Sequence, residues 1–312
     1  DAEAVALTVL GVRDNGTELA MALKAEPGSA AGSFRYYAEA LDKIYGEIAP
    51  TAPDVLGLVH RQPVGVVGAI VPWNFPLMIG AWKIAPALAA GNSVVLKPAE
   101  TASLALLRLA EICQDCGLPD GGFNVVTGPG QITGEALALN HDVDVLVFTG
   151  SGGVGRRLLE YAARSNLKRV YLELGGKSPN IVFDDAADLA QAAQVSAMGI
   201  FRNSGQVCVA GSRLLVQRGV HDQFVDMLAQ AARTLRVGDP LAPGTQVGAI
   251  NSARQLQGNL AFVAEARANG IDVALGGQQI LQDTGGYYMQ PTILTGVGPQ
   301  DRVFREEVFG PV

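Results

Sequence analysis

A chain of 312 residues with 48% hydrophobic and 17% charged side chains can bury large cores across about two domains of roughly 150 residues each, and its composition excludes a disordered chain. Its 23 basic and 30 acidic residues leave a net charge of −7, which argues against a nucleic-acid partner. Three cysteines, an odd number, fit a reducing compartment and no disulfide framework.

In chain order, residues 1–48 read as helical through EAVALTVLGVRDNG and SAAGSFRYYAEALDKIYGE, and Ala49–Val55, with two prolines, reads as a connector. Pro63–Trp82 is a twenty-residue apolar window in which Asn74 is the only strongly polar side chain, long enough to span a bilayer. Pro72 and Pro76 would break a spanning helix, and VGVVGAIV is rich in β-branched residues, so a buried strand followed by a buried helix is expected instead. The spacing predicts strands at Val64–Val71, Ser93–Leu96, Asn124–Val126, Val143–Thr149 and Arg169–Leu172. Helices are predicted between them at Pro76–Ala90, Ala102–Cys116, Gly134–Leu139 and Gly155–Ser165. Strand–helix units of this length imply a parallel sheet in an α/β nucleotide-binding type of domain, residues 1–175. The pattern restarts with NIVF, a helix at Leu189–Phe201, the loop GQVC, the strand SRLLVQ, and helices at His221–Arg236 and Ala253–Asn269. A second α/β domain, residues 176–312, follows from that. The chain begins at Asp1 and stops directly after EEVFGPV, and we read it as a fragment.

Several residues could carry chemistry. Gly150, Gly152 and Gly155 form G-x-G-x-x-G between a strand and a helix, the context in which backbone amides and a helix N-terminus meet phosphate. Such a fingerprint wants an acid about twenty residues on for ribose hydroxyls, which leaves Glu173 open to a cofactor role as well as to that of a base. Lys97 and Glu100, in VVLKPAE, follow a strand end and compete for the ribose role. Asn74, in PWNFP, is either a helix cap before Pro76 or an oxyanion donor. Cys208, in a loop of small residues, is either an inert buried thiol or a nucleophile. Cys113 and Cys116 form a C-x-x-C with no second pair, so neither zinc nor redox chemistry is expected there, and no metal site is expected elsewhere. His60, His141 and His221 sit in no Gly-rich loop, against a Cys–His hydrolase.

Together the strings PWNFPLMIGAWKIAPALAAGNSVVLKPAE, FTGS, LELGGKSPNIVF, NSGQVC, YYMQPTIL and EEVFGPV resemble the NAD(P)-dependent aldehyde dehydrogenase superfamily over nearly the whole chain. FRYYAEALDKIYGEIAP makes the likeness closest to bacterial enzymes for amino- or glutamylamino-aldehydes. The resemblance implies an α/β, aldehyde dehydrogenase-like fold: a Rossmann-type parallel-sheet cofactor domain and a second α/β catalytic domain that is incomplete at its C-terminus. It implies that Cys208 attacks the aldehyde, that Asn74 and the Cys208 backbone N–H form the oxyanion hole, and that Glu173 activates water against a thioester. Lys97 and Glu100 match the adenosine-ribose contacts, which frees Glu173 for the base role and favours NAD over NADP. Gly150 and Ser151 match the pyrophosphate turn, Trp73 the nicotinamide end and Glu307 the nicotinamide ribose. Phe309 packs near the ring, and Leu174 belongs to the same cofactor-binding set. An apolar aldehyde tunnel is expected from Phe75, Ile79, Trp82, Val207 and Val209. Residues 45–63 match an oligomerisation segment, which implies a homo-oligomeric, cytoplasmic parent.

The sequence departs from the family at Gly152, where threonine usually follows the FTGS serine, and at both ends, where the family continues. Weak or absent turnover is therefore expected of this stretch alone. Two alternatives remain beside an aldehyde-to-acid dehydrogenase. One is a CoA-acylating dehydrogenase or acyl transferase on the same fold, in which Glu173 would be wasteful. The other is an inactive piece that only binds cofactor.

Overall fold

The computed structural model describes all 312 residues. Two helices open the chain, α1 (Ala4–Asn15) and α2 (Leu19–Ala40). Gly16 joins them at φ +80°, where a Cβ would press on the Ala249 backbone. Pro27 sits inside α2 without ending it. Helix does not continue to residue 48: after α2 the chain forms a hairpin of β1 (Glu47–Ala49) and β2 (Gly57–Val59), antiparallel with Ile48 opposite Leu58. The expected connector is thus the turn of that hairpin. Ile48, β-branched, is extended rather than helical, as its type favours.

By contacts the chain divides into two units: Asp1–Leu7 with Ala25–Glu173, and Thr8–Lys24 with Leu174–Val312. The expected division at 175/176 is contiguous in sequence. Here Thr8–Lys24 groups instead with the later residues, which long-range contacts decide and local pattern does not carry.

In the first unit, β3 (Val66–Ile70), α3 (Pro76–Ala89), β4 (Ser93–Lys97), α4 (Leu104–Asp115), β5 (Phe123–Val125), α5 (Glu135–Leu139), β6 (Val145–Gly150), α6 (Gly152–Arg164) and β7 (Arg169–Leu174) follow one another. The strands form one sheet in the order β5-β4-β3-β6-β7. β3 pairs with β4 and β6, and β4 with β5, all in parallel, with Ile70 opposite both Lys97 and Phe148. β3 is buried nearly throughout, as a central parallel strand must be, so the apolar window from Pro63 is strand then helix. No helix is long and apolar enough to cross a membrane. Ile70, Leu137, Leu146, Phe148 and Leu158 are buried together in one core of this unit.

The second unit contains β8 (Pro179–Val182), α7 (Leu189–Phe201), β9 (Arg213–Val216), α8 (His221–Arg233), α9 (Ala253–Ala268), β10 (Asp272–Leu275), β11 (Gln279–Ile280), β12 (Tyr288–Met289), β13 (Ile293–Thr295) and α10 (Arg302–Arg305). β8 and β9 pair in parallel, and β10–β13 and β11–β12 pair antiparallel. Phe201 and Phe224, from α7 and α8, are among the largest side chains buried in its main core.

Candidate active site

In an open parallel sheet, ligands bind beyond the carboxyl ends of the strands, where the strand order reverses. Here the chain runs outward from β3 to β4 and β5, then returns to place β6 on the other side of β3. The reversal lies between β3 and β6. Trp73 and Asn74 follow β3, Gly150 and Ser151 end β6, and Lys97 and Glu100 end β4, so the topology gathers six of the expected residues on one edge of the first unit.

Lys97 is only 3% exposed, and its Nζ stands 3.6 Å from Glu100 Oε1. The same oxygen accepts from the Gly130 N–H at 2.5 Å. Partial burial raises the Glu100 carboxyl, but N–H bonds from its own backbone and Gly130, with the Lys97 ammonium, outweigh this and hold it below the usual carboxylate range. An ionised carboxylate on a strand end is suited to accept from vicinal hydroxyls and to repel a phosphate.

At β6 the Ser151 side chain caps α6, accepting from the Val154 N–H at 3.4 Å. The helix begins at Gly152, three residues before the expected Gly155, because Ser151 already supplies the cap. Gly150, Gly152 and Gly155 all have ordinary backbone angles rather than positive φ. The written G-x-G-x-x-G therefore forms no glycine-dependent turn. Gly150 is small for another reason, since a Cβ there would strike the Phe148 ring. Just before it, the buried Thr149 Oγ1 has no hydrogen-bond partner. An orphaned hydroxyl just before a capped helix N-terminus, in the sheet whose β4 end carries the Lys97–Glu100 pair, fits a group rich in hydroxyls and phosphate.

Asn74 is 3% exposed. It is not the N-cap of α3: Phe75 holds that place, with Pro76 in the first turn and no side-chain cap of its own. Glu26 of α2 supplies the missing acceptor, taking the Met78 N–H at 2.7 Å. Burial pushes its carboxyl up to about 8, against N–H bonds from Met78 and Leu77. Glu173, at the end of β7, is exposed and lines a groove of about 410 Å³ with Trp82, Lys83, Phe148 and Tyr171. Burial lowers the Lys83 ammonium to about 8, opposed by the Glu173 carboxylate. Phe75 and Ile79 are buried, whereas Trp82 is half exposed, its Nε1 donating to Ser29 Oγ at 3.1 Å.

The second unit carries Cys208, Leu174, Glu307 and Phe309. Cys208 is partly buried, Leu174 partly exposed, and Val209 largely exposed. Leading into the thiol, Asn203 (φ 49°), Ser204 (φ 52°) and Gly205 (φ 70°) are consecutive left-handed residues, a geometry that costs roughly 1–2 kcal/mol for each residue bearing a Cβ. At Gly205 no side chain fits, because a Cβ would run into the Gly310 carbonyl. Gly176 lies against the Cys208 loop: a Cβ there would stand 3.9 Å from the Cys208 carbonyl oxygen. The Gly176 N–H donates to Glu307 Oε1 at 3.3 Å, and the carboxylate fills the space a Gly175 side chain would need. Burial raises the Glu307 carboxyl, countered by that N–H and by Lys177. Phe309 takes a left-handed φ of 56°, and its carbonyl accepts from Gln255 Nε2 at 3.0 Å. One small cavity is lined by Gly176, Val207, Glu307 and Phe309, so three motifs far apart in sequence meet there.

Glu18, Thr17, Glu26 and Lys83 are buried or charge-shifted groups that sequence reasoning missed. Their signal is tertiary, since nothing in TELAMALKAEPG marks an acid as buried. Cys113, half-buried on α4, has its thiol raised to about 11 by burial and by Cys116 beside it. No group of three or more His, Cys, Asp or Glu side chains comes together to hold a metal ion.

These features define a class: an α/β protein with a dinucleotide-type sheet edge in one unit and a thiol on a constrained loop in the other. Residues 1–312 match the aldehyde dehydrogenase family, and the chain belongs to that family. It is 46% identical over 312 residues to the NADP/NAD-dependent aldehyde dehydrogenase PuuC of Escherichia coli (strain K12), an alignment covering 100% of this chain and 62% of that protein. Among solved structures, the P. syringae indole-3-acetaldehyde dehydrogenase in complex with NAD+ and IAA superposes with a TM-score of 0.97 at 48% identity, covering 99% of this chain and 63% of that one. Gamma-glutamyl-gamma-aminobutyraldehyde dehydrogenase from Burkholderia cenocepacia gives 0.96 at 47% identity, covering 99% and 62%. The chain thus spans somewhat over three-fifths of the length of these relatives.

Proposed function

We propose that this chain is the cofactor-binding and nucleophile-bearing part of an NAD-dependent aldehyde dehydrogenase that oxidises an aldehyde to a carboxylic acid. The Cys208 thiolate adds to the aldehyde carbon, and the Asn74 side-chain amide with the Cys208 backbone N–H stabilises the oxyanion. Bound NAD supplies the hydride acceptor that lets the adduct become a thioester. Glu173 then takes a proton from water; the hydroxide adds to the thioester carbon, the C–S bond breaks, and the acid leaves with the thiolate restored. Lys97 and Glu100 hold the adenosine ribose, and Gly150 and Ser151 the pyrophosphate. Trp73, Leu174, Glu307 and Phe309 hold the nicotinamide end. NAD is preferred because the depressed Glu100 carboxyl is ionised at neutral pH and repels a 2′-phosphate; a relative described as NADP/NAD-dependent makes that preference one of degree. Amino- or glutamylamino-aldehydes are the proposed substrates, supported by the named activity of the Burkholderia cenocepacia relative. The parent protein is proposed to be cytoplasmic and homo-oligomeric.

The observation that carries this reading is Cys208 itself, a thiol delivered by a turn so tight that only glycine fits at position 205. The test is to incubate the full-length protein with NAD and a glutamylamino-aldehyde and follow reduced-cofactor absorbance. Turnover is expected from the wild type and none from Cys208→Ala. An inert wild type, or a Cys208→Ala variant of undiminished rate, overturns the proposal. Acyl-CoA outpacing free acid when CoA is added would overturn the hydrolytic role of Glu173.

A further inference from the structure

The left-handed turn before Cys208 is held from a part of the chain nearly two hundred residues earlier. Glu18, just before α2, presents both carboxylate oxygens to the Asn203 N–H, each at 3.2 Å. Beside it, Thr17 Oγ1 donates to Asn203 Oδ1 at 2.7 Å, while the Thr17 N–H donates to Asn15 Oδ1 at 3.0 Å. Two further bonds close the turn: Ser204 Oγ donates to the Gly248 carbonyl at 2.8 Å, and Gln206 Nε2 to the Asn203 carbonyl at 3.3 Å. Thr17, Glu18, Asn203, Ser204 and Gln206 are none of them more than 3% exposed. All of these groups lie in the second unit.

A buried carboxylate is costly unless something uses it, and here both of its oxygens take the Asn203 N–H at the start of a strained turn. We propose that Glu18 and Thr17 are positioning residues for the nucleophile, fixing through Asn203 the left-handed turn that carries the chain into Cys208. The proposal rests on Cys208 as nucleophile; Glu18 and Thr17 touch neither substrate nor cofactor. Burial pushes Glu18 up to about 7, opposed by N–H bonds from its own backbone and Asn203 and by the charge of Arg202. Arg202, the charged group that acts on it, belongs to the nucleophile loop itself. A carboxylate accepts the Asn203 N–H more strongly than the protonated acid does, so the turn is held more firmly above about pH 7 than below it.

The measurement is alkylation of Cys208 by iodoacetamide in the chain as it stands, followed by peptide mass spectrometry across pH, with the exposed Cys116 as internal reference. It needs neither aldehyde nor cofactor, so a chain inactive as a dehydrogenase still tests the positioning role. Expected is a second ionisation near pH 7 in the Cys208 profile, on the order of fivefold in rate beyond its own thiolate titration, and absent at Cys116. Glu18→Gln, which keeps the shape and one carbonyl acceptor, removes that second ionisation, and Thr17→Val leaves it in place with a shifted rate. A wild-type Cys208 profile with a single ionisation overturns the proposal whether or not any variant folds. So does a Glu18→Gln profile that keeps the second step.

Discussion

Glu26 shows how one buried acid ties local structure to pH. Its carboxyl takes the N–H groups at the start of α3, the helix that follows Asn74, and burial raises it from 4.5 to about 8. A folded value above the unfolded one means that the native state holds the proton more tightly, so its stabilising contribution is complete below pH 4.5. That contribution is lost as pH rises through about 8, with an upper size of a few kcal/mol. Glu18 acts in the same direction with a folded value of about 7. Glu26→Gln keeps an acceptor for the Met78 N–H and removes the titration. The urea midpoint of the wild type is therefore expected to fall between about pH 5 and about pH 9, and that of the variant to fall less; parallel curves would contradict this. The candidate chemical residues were legible because their types are rare in such settings: a thiol, an amide and a carboxylate among glycines and apolar side chains. Glu18 and Glu26 were not, because burial of an acid depends on what folds over it.

At the scale of elements, helix starts follow side-chain caps. Asp188 accepts the Gln191 N–H at 2.9 Å and starts α7 at Leu189, as expected from the sequence. Asp188→Ala is expected to cost about 1 kcal/mol and Asp188→Asn much less, read as shifts in the denaturation midpoint; equal effects would show that charge rather than the cap matters. α7 leads into the strained turn of Asn203, so this cap also anchors the helix from which the Cys208 loop departs. Strands β3, β4 and β6 were legible from runs of β-branched residues. The hairpin of β1 and β2 was not, because its three-residue strands are too short to show an alternation and their apolar faces are turned outward.

That outward face matters for the whole molecule. Ile48 is 74% and Leu58 68% exposed, with Tyr45 and Leu56 also open to solvent. An exposed apolar pair on a short hairpin supports the proposal that residues 45–63 join copies of the parent protein. Replacing Ile48 and Leu58 together by aspartate is expected to lower the mass of the full-length protein in light scattering while leaving its circular dichroism unchanged. An unchanged mass would remove the hairpin from the interface.

By itself the sequence determined the family, the alternation of strand and helix, and the chemical types on hand, because these depend on local pattern and on motifs written in contiguous residues. Tertiary structure alone decided that the G-x-G-x-x-G is a capped helix start with ordinary backbone angles and that Glu26 caps α3. It alone decided that Thr8–Lys24 belongs with the second unit. Each of these depends on groups far apart in the chain being buried against one another, where desolvation and hydrogen bonding set roles that no local spacing encodes.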